Sequence, residues 1–372
     1  MRKKVIVSVI NDLVTDQRVN KVCQTVSSMD CDVLLVGRRL KNSPDMDHRG
    51  YSVHRMKLVF EKGAFFYAEF NLRLFFFLLI KKADMLISND LDTLLPNYII
   101  SKIRNVPLVY DSHEYFTEVP ELVNRKHIQR VWKFIEGKIF PKLENVITVN
   151  DSIADFFEDD YGIRPAVVRN IPRAREKVSM VTREKLELPV GKSILILQGS
   201  GINVDRGSEE LIQAMEYIDD AVLLIIGGGD VINKLKFMVV ELGIKDKVIF
   251  KPRLPYNEMM QYTAVADLGL TFDKSTNLNY KFSLPNKLFD YIQAGVPVIS
   301  SSLPEIEKVI NQFDVGDYIP DHNPKNIANK LNHILNNQDL ILKWKKNCNF
   351  AARELTWENE EVVLKKIYGK YV

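Results

Sequence analysis

Short apolar segments alternate along the chain with longer stretches of helical periodicity. In the first half they include VIVSVI, DVLLVG, DMLIS and ENVITV, and each is followed by polar residues and then by a helical pattern. Continuous apolar runs of about four to eight residues are typical of parallel strands that helices cover on both faces. The pattern therefore predicts an α/β protein built on parallel sheets.

The alternation stops once and then starts again, which predicts two domains. Residues Pro172–Pro189 (PRAREKVSMVTREKLELP) are charged and bounded by prolines, as a connector would be. After them come SILILQG, AVLLIIGGG, KVIF, DLGLTF and PVISS, separated by helical patterns. We predict two doubly wound parallel-sheet domains, Rossmann-like, over 1–171 and 190–356, with the connector 172–189 between them and a last helix over 357–372.

Composition and cysteine content narrow the functional classes. The chain has 372 residues, of which 46% are hydrophobic and 27% charged, and its 51 basic and 48 acidic residues leave a formal net charge of +3. This charge is too small to argue for a nucleic-acid partner. Cys23, Cys31 and Cys348 are odd in number and lack the spacing of metal ligands, so we expect reduced thiols in a cytoplasmic protein.

Two apolar segments raise the question of membrane contact. The N-terminal MRKKVIVSVI has the basic start of a signal peptide, but its apolar run ends at Asn11 without a cleavage site, so a first strand is the better interpretation. The run Leu72–Ile80 has nine residues, whereas a spanning helix needs about 20. The surrounding helix either packs against the sheet or contacts a membrane surface peripherally through aromatic and basic residues, namely Phe65, Phe66, Tyr67, Phe70, Phe75, Phe76, Phe77, Lys57, Lys62, Arg73, Lys81 and Lys82.

Polar residues at strand ends are the candidates for chemistry, because ligands of doubly wound sheets bind there. The strand SILILQG runs into GSGINVDRG, whose three glycines let backbone amides approach a ligand. Asp205 or Ser208 is placed to cap the following helix, and Arg206 then lies at a helix N-terminus, which favours an anion. The loop is either a phosphate site or a glycine-rich turn beside a solvated arginine, and Gly228 in the later triple glycine is a weaker candidate.

The segment SLPNKLFDYIQAGVPVI places a lysine and an aspartate on a short helix before a core strand. With Pro285 near the first helical position, 100° per residue puts an apolar face on the sheet and leaves Lys287, Asp290 and Tyr291 on the other face. Lys287 and Asp290 then form either an exposed ion pair, worth about 0.3 kcal/mol, or a nucleotide site. In the second case the lysine binds phosphate and the aspartate accepts hydrogen bonds from ribose hydroxyls.

Five segments in one order resemble the retaining GT-B glycosyltransferases of the glycosyltransferase family 4 type. GSGINVDRGSEELIQAM and SLPNKLFDYIQAGVPVI resemble their second domain, whereas NDLVTDQRVNKVCQTV, ISNDLDTLLP and VYDSHEYFTEVPEL resemble their first. The similarity covers nearly the whole chain. It implies two Rossmann-like domains facing a cleft, of which the first binds the acceptor and the second the nucleotide-sugar donor, and a last helix that crosses back to the first domain.

Carried over by position, the resemblance implies roles for residues of both domains. Arg206 matches a basic residue on the donor diphosphate, and Asp290 matches an acidic residue on its ribose. The implied catalytic residues are His113, Arg206 and Lys287. The implied donor site comprises Gly199, Ser200, Gly201, Arg206, Gly228, Arg253, Ser283, Leu284, Asn286, Lys287 and Asp290. The implied acceptor side comprises Asn11, Asp12, Asp16, Asn89, Asp90, His113 and Glu114. The alternative for His113 is a helix-capping or core histidine.

The chain departs from the family pattern at three places. Gly201 stands where the family usually has a second arginine, and Phe282 stands where it has a glutamate that touches the donor sugar. The glycine-rich loop of the first domain is replaced by NDLVTD. The identity of the donor sugar therefore cannot be carried over, and Lys287 is a candidate replacement for the lost positive charge.

The motif Asp90-Leu91-Asp92 has the DxD form of the metal site in the other glycosyltransferase fold. Here it follows a strand and opens the helix TLLPNYIISK, so capping or acceptor binding is the expected role. We therefore expect no metal and no cofactor other than the nucleotide diphosphate sugar, which is a co-substrate.

The resemblance implies transfer of a sugar, with a UDP-sugar favoured as donor, to a glycan or lipid-linked acceptor in surface polysaccharide or lipopolysaccharide assembly. Two alternatives stay open. A catalytically silent nucleotide-sugar-binding subunit fits the missing glutamate, and a sugar-nucleotide 2-epimerase shares the two-domain architecture. The second alternative calls for several acids and a basic pair around one sugar, which these motifs do not supply.

Overall fold

The computed structural model describes residues 2–14, 16–43, 45–46, 48–174 and 181–372. The predicted start of the first helix at Thr15 and the middle of the predicted connector, 175–180, lie outside the described residues.

Strands and helices alternate through both halves of the chain. The first half contains β1 (Lys3–Asp12), α1 (Gln17–Ser27), β2 (Cys31–Arg39), β3 (Ser52–Lys57), α2 (Gly63–Ile80), β4 (Met85–Asn89), α3 (Leu91–Arg104), β5 (Leu108–Ser112), α4 (Pro120–Val123), α5 (Lys126–Ile139), β6 (Asn145–Thr148), α6 (Asp151–Tyr161) and β7 (Ala166–Val167). The second half contains β8 (Ser193–Gly199), α7 (Ser208–Ala214), β9 (Ala221–Gly227), α8 (Ile232–Glu241), β10 (Val248–Lys251), α9 (Tyr256–Ala264), β11 (Leu268–Thr271), α10 (Leu278–Lys281), α11 (Asn286–Gln293), β12 (Val298–Ser300), α12 (Pro304–Phe313), β13 (Gly316–Tyr318), α13 (Pro324–Leu335), α14 (Gln338–Glu354) and α15 (Trp357–Tyr368).

The chain divides into two compact units. Unit 1 comprises Met1–Asn170 together with Glu358–Val372, and unit 2 comprises Ile171–Trp357. The returning segment is fixed to unit 1 by polar contacts of α15. A Glu360 carboxylate oxygen accepts a hydrogen bond from Arg169 at 2.6 Å, and Glu361 accepts one from Thr25 at 2.8 Å.

Unit 1 is built on a parallel sheet of order β3-β2-β1-β4-β5-β6-β7. Its strand order reverses between β1 and β4, and doubly wound sheets bind ligands at the carboxyl ends of such a pair of strands. Residues 5–10 of β1 are all buried, as expected for a central strand with helices on both faces. The sheet therefore brings the residues that follow β1, β4 and β5 to one edge.

Unit 2 repeats the arrangement with the order β10-β9-β8-β11-β12-β13, again parallel. Side chains of β8 alternate between two cores: Leu195 and Leu197 belong to one cluster, and Ile194 and Ile196 belong to the other. The order reverses between β8 and β11, so the residues after these two strands share the ligand-binding edge of this unit.

The second part of the predicted connector is integral to unit 2. Leu186 and Leu188 are buried in the same cluster as Ile194, and Arg183 forms an ion pair of 2.8 Å with Asp267. The charged composition of this segment and the prolines at its ends predicted a connector between the two halves. Its two leucines instead cover the edge of the core, which the alternation of charges concealed.

Helix α2 is longer than the apolar run that marked it in the sequence. It has 18 residues, and within the described residues it alone combines the length and apolar composition that could cross a membrane. Four of its residues, Phe66, Phe70, Leu74 and Leu78, are nevertheless buried in the unit 1 core.

Candidate functional site

Two glycine loops meet at the carboxyl ends of β8 and β9 in unit 2. The Gly228 amide donates to the Gly199 carbonyl at 3.2 Å, and the Gly228 carbonyl accepts from the Ile202 amide at 2.9 Å. Gly227 has a φ of +139°, and a Cβ there would stand 1.7 Å from the Gly199 oxygen. Only glycine permits this approach of the two loops.

Helix α7 begins after Gly207, not after a side-chain cap. Gly207 is the N-cap residue with a φ of +69°, and a Cβ there would lie 2.2 Å from the Phe272 carbonyl oxygen. The predicted capping by Asp205 or Ser208 is therefore wrong, because this backbone must pass close to the end of β11. The close passage brings Arg206 next to the residues that follow β11.

Arg206 is held by a carboxylate that the sequence did not reveal. Its Nη1 donates to Asp273 Oδ2 at 2.9 Å, and its guanidinium carbon lies 4.0 Å from the centre of the Tyr280 ring. Asp273 is fully buried two residues beyond the end of β11. A fixed carboxylate on one side and an aromatic ring on another orient the guanidinium.

Lys287 approaches the same aspartate from the first turn of α11. Its Nζ is 3.9 Å from Asp273 Oδ1, an oxygen that has no hydrogen-bond partner among the described residues. Burial lowers the pKa of Lys287, Asp273 opposes this shift, and the charge of Arg206 adds to it. Two cations thus share one buried carboxylate at the strand-order reversal of unit 2.

Asp290 is buried, with only 8% of its surface exposed. Its Oδ1 accepts a hydrogen bond from the Tyr256 hydroxyl at 2.7 Å, and its Oδ2 accepts one from Gln198 Nε2 at 3.2 Å. The Gln198 oxygen accepts in turn from Thr263 at 2.6 Å. The interpretation of Lys287 and Asp290 as an exposed ion pair is therefore wrong, because each of them has a different partner.

The predicted outer face of α11 is wrong for Tyr291 as well. The Tyr291 ring is fully buried, and its hydroxyl donates to backbone oxygens of β8 and β11 at 3.2 Å. A Cβ on Gly269 would stand 2.3 Å from this ring. The glycine in β11 thus makes room for an aromatic side chain that helical periodicity assigned to solvent.

The remaining predicted donor residues vary in their surroundings. Ser200, Gly201 and Asn286 are exposed, and the Ser283 hydroxyl donates to the Tyr280 carbonyl at 2.9 Å. Leu284 packs against the core of unit 2. Arg253 is exposed just after β10, two strands away from β8, so the sheet does not bring it next to Arg206.

In unit 1, His113 follows β5 and contacts the residue that follows β4. The His113 amide donates to Asp90 Oδ1 at 2.8 Å, and its Nδ1 is 3.2 Å from Asp90 Oδ2. Asp90 has φ +59° and ψ 165°, a combination that is costly for any residue with a Cβ. The double contact with His113 holds this backbone conformation.

A buried arginine completes the surroundings of the histidine. His113 Nε2 is 3.5 Å from Asp111 Oδ2, and Asp111 Oδ1 accepts from Arg18 at 2.7 Å. Burial raises the pKa of Asp111, but the Arg18 and His113 charges lower it further than burial raises it. Burial lowers the pKa of His113, but Asp90 and Asp111 outweigh it and raise the pKa to about 10. His113 is therefore a cation at neutral pH.

The other predicted acceptor-side residues have local partners. Asn11 donates to Asp16 at 3.0 Å, and Asp16 caps α1 by accepting from the Val19 amide. Asp12 forms a 3.1 Å ion pair with Arg55. Asn89 is buried and donates to the Ser8 carbonyl, and Glu114 lies next to His113.

The DxD segment contains a second buried carboxylate, Asp92. Burial raises the pKa of Asp92 well above its usual value, and Asp90 and Glu114 raise it further. Asp92 Oδ1 has no hydrogen-bond partner within the described part of the chain. Among the described residues there is no group of three or more His, Cys, Asp or Glu side chains that could hold a metal ion.

Sequence reasoning missed Asp273, Tyr256, Gln198, Asp111 and Arg18. Two of these had a signal that could have found them, since Asp111 and Asp273 each stand at the end of an apolar strand, in VYDSHE and LTFDK. The other three lie inside helical or apolar segments, so only the packing of the sheet shows that they reach the site.

Family models match both halves of the chain. The model described as Glycosyltransferase Family 4 matches residues 17–175, and the model described as Glycosyl transferases group 1 matches residues 181–349. The second match lies entirely within unit 2, and the first lies within unit 1 except for residues 171–175.

Similar proteins agree with these matches. A D-inositol 3-phosphate glycosyltransferase of Xylanimonas cellulosilytica is 21% identical over 193 residues, which cover 50% of this chain and 45% of that protein. The match thus spans less than half the length of this relative. Sucrose-phosphate synthase of Thermosynechococcus elongatus has the same fold, with a TM-score of 0.80, 16% identity and 99% of each chain covered. Anabaena HepE, solved in complex with UDP and glucose, has a TM-score of 0.75 at 15% identity, again with 99% of each chain covered.

The two parallel sheets with reversed strand order, the glycine loop followed by Arg206, and the matches over both halves lead to one assignment. The chain belongs to the GT-B glycosyltransferases, with a first half of the glycosyltransferase family 4 type and a second half of the group 1 type.

Proposed function

We propose that the protein transfers a sugar from a nucleotide diphosphate sugar to a hydroxyl group, with retention of the anomeric configuration and without a metal ion. Unit 2 binds the donor and unit 1 the acceptor. The observation that carries the proposal is the charge arrangement around Asp273, where Arg206 and Lys287 share one buried carboxylate.

This arrangement has one positive charge in excess at the place where a doubly wound sheet binds its ligand. The N-terminus of α11, whose first turn carries Lys287, lies beside the same aspartate and favours an anion. A diphosphate supplies the missing negative charge, which a neutral ligand would not. Its binding would also offset the cost of holding two cations close together in a buried place.

In the proposed reaction, the positive charges of Arg206 and Lys287 lie beside the diphosphate leaving group. As the bond between sugar and diphosphate breaks, negative charge grows on the leaving group and positive charge on the sugar. Arg206 is already oriented by Asp273 and Tyr280, so it stabilises the leaving group without reorganisation. Such preorganised contacts typically contribute a factor of about 10²–10³ in rate.

Asp290 is the proposed partner of the ribose. A carboxylate can accept about four hydrogen bonds, and Tyr256 and Gln198 each use one acceptor position of Asp290. Their donation orients the buried carboxylate. A UDP-sugar is the favoured donor, because HepE, which shares the fold, was solved with UDP and glucose.

His113 is proposed to act as a hydrogen-bond donor and not as a general base. Both of its ring nitrogens face carboxylates, and its raised pKa keeps it protonated. A protonated ring has no free nitrogen to accept a proton, and its Nε2–H, which makes no hydrogen bond among the described residues, is the group proposed to donate to a sugar hydroxyl. The acceptor in this proposal is a glycan or lipid-linked hydroxyl in surface polysaccharide assembly, as the family resemblance implies.

The rival function is a nucleotide-sugar-binding subunit without activity. Phe282, which replaces the glutamate expected at the donor sugar, is the observation in its favour. Both functions require binding of a nucleotide sugar, so binding alone does not distinguish them. The test therefore also measures product formation.

The test begins with calorimetric titration of UDP, GDP, ADP and their glucose derivatives. We expect one nucleotide to bind to the wild type, to lose at least tenfold in affinity in Asp290→Ala, and to keep its affinity in the control Lys236→Ala, which changes an exposed residue of α8. The donor so identified is then incubated with candidate acceptors, and the product is analysed by NMR for its anomeric configuration.

The outcomes distinguish the proposals. A product with the donor's configuration supports a retaining transferase, and tight binding without any product supports the silent subunit. Turnover that is lost in EDTA and restored by Mn²⁺ would contradict the metal-independent mechanism. If none of the nucleotides binds, the proposed donor site is contradicted.

A further inference from the structure

Helix α2 is apolar on its outer face as well as on its inner face. Its inner residues fill the core of unit 1, whereas an opposite stripe is exposed. At 100° per residue the stripe members fall on one side of the helix. They are Phe65, Ala68, Leu72, Phe76 and Leu79. Three of these side chains are more than half exposed, with 72% for Phe65, 59% for Leu72 and 52% for Phe76.

No unpaired charge of the helix interrupts this stripe. Glu69 and Arg73 lie along its flank and form an ion pair of 2.7 Å with each other. Glu69 also accepts from the amides of Val59 and Phe60 at 3.0 Å, and Arg73 donates to the Lys57 carbonyl at 3.1 Å. These contacts fix the loop before α2 beside the stripe.

The fixed loop extends the apolar surface. Val59 is 75% exposed and Phe60 47%, and the Phe60 ring lies 5.4 Å from the Phe65 ring. The apolar surface of the loop therefore joins that of the helix where the Phe60 and Phe65 rings meet. Contiguous apolar surface of this kind on a folded protein marks an interaction site.

The charges around this surface identify the partner. Lys57, Lys62, Lys81 and Lys82 are all exposed at its two ends. The segment 57–82 contains five basic and two acidic residues, and one of the acids, Glu69, is paired with Arg73. An apolar stripe with lysines at its ends complements an interface of acyl chains below anionic headgroups.

We propose that this surface, formed by the loop 57–62 and the outer face of α2, binds the surface of an anionic lipid bilayer. The helix lies in the plane of the interface and does not span it, because Phe66, Phe70, Leu74 and Leu78 anchor its other face in the core. Phe65, Leu72 and Phe76 enter the acyl boundary, and the lysines contact headgroups. The proposal concerns lipid binding alone and does not depend on the proposed sugar transfer.

The test is flotation with vesicles of phosphatidylcholine, with or without phosphatidylglycerol, at low and high salt. The wild type should float with the anionic vesicles and lose binding as salt rises. The triple variant Phe65→Ser/Leu72→Ser/Phe76→Ser should bind at least about tenfold more weakly, because it removes three large apolar contacts. The matched control Phe237→Ser/Phe350→Ser changes phenylalanines that are 65% and 60% exposed in unit 2, and it should bind like the wild type.

A second pair of variants tests the charges. Lys81→Gln/Lys82→Gln should weaken binding to the anionic vesicles, whereas Lys236→Gln/Lys346→Gln, which changes exposed lysines of unit 2, should not. Circular dichroism and nucleotide titration show whether each variant is folded. The proposal is overturned by a wild type that stays in the soluble fraction at low salt, or by a triple variant that floats normally. Self-association that the triple variant abolishes, without vesicle binding, would assign the surface to a second copy of the chain.

Discussion

Both units place a buried carboxylate at the carboxyl end of a strand beyond the reversal of strand order, but they balance its charge differently. In unit 1, Asp111 and Asp90 face Arg18 and His113, so two anions meet two cations. In unit 2, Asp273 alone faces Arg206 and Lys287. The first cluster is neutral, whereas the second has a positive charge in excess.

This difference matches the two ligands proposed for the units. A diphosphate needs positive charge, and only the cluster of unit 2 offers it. A hydroxyl acceptor is neutral and needs oriented hydrogen-bond partners, which the fixed imidazolium of unit 1 supplies. In the proposed function, one fold used twice binds an anionic and a neutral ligand through the residues that follow a few strands.

The largest effect is expected when the carboxylate of Asp111 is removed from unit 1. Asp111→Ala leaves Arg18, only 3% exposed, without its partner, so we expect unit 1 to lose about 3–5 kcal/mol of stability. Asp273→Ala should cost less, because Arg206 is 25% exposed and reaches water. Hydrogen exchange measured by mass spectrometry reports each unit separately.

The control for this pair is Asp155→Ala, which removes a surface carboxylate that is 57% exposed and should cost less than about 1 kcal/mol. Equal losses for Asp111→Ala and Asp273→Ala would mean that the two clusters do not differ in the way described.

The second prediction concerns the excess charge of unit 2. Arg206→Ala should lower kcat/KM by about 10²–10³, because it removes a preorganised contact with the leaving group. The unfolding temperature should also fall, because the variant leaves the buried carboxylate of Asp273 with the more distant Lys287, so the kinetics are measured well below that temperature. Steady-state kinetics with the identified donor measure the effect, with Lys236→Ala as the control. A loss below threefold would show that the excess charge does not serve the reaction.

The third prediction uses the pKa of His113. Because this pKa is raised to about 10, the protonated ring contributes its full stabilisation below the unfolded pKa near 6.5, and the contribution disappears as the pH rises through the folded pKa. Between pH 7 and pH 9 the histidine should therefore lower the stability of unit 1 by about 2 kcal/mol.

His113→Gln removes the titrating group while keeping a donor, so it should flatten this part of the stability profile. The difference between the two profiles, measured by denaturant unfolding, isolates the histidine from other groups. Parallel profiles would mean that His113 is neutral in the folded state, and the contrast with unit 2 would then be smaller.

Much of the fold followed from the sequence because it rests on short-range patterns. Apolar runs such as SILILQG and AVLLII predicted buried parallel strands, and the structure has them as β8 and β9. The interruption at Pro172–Pro189 pointed to two halves, although Leu186 and Leu188 belong to the core of the second. Helical periodicity placed Leu288 and Ile292 correctly in the core but missed Asp290 and Tyr291.

The sequence by itself determined the order of strands and helices, the class of fold and the motif residues Arg206 and Lys287, because these depend on residue type and spacing along the chain. Only the tertiary structure decided that Asp273 holds both cations, that Tyr256 and Gln198 occupy Asp290, and that Asp90 and Asp111 keep His113 charged. Those contacts join residues after different strands. Their geometry depends on strand order and side-chain packing in three dimensions, which no local pattern specifies.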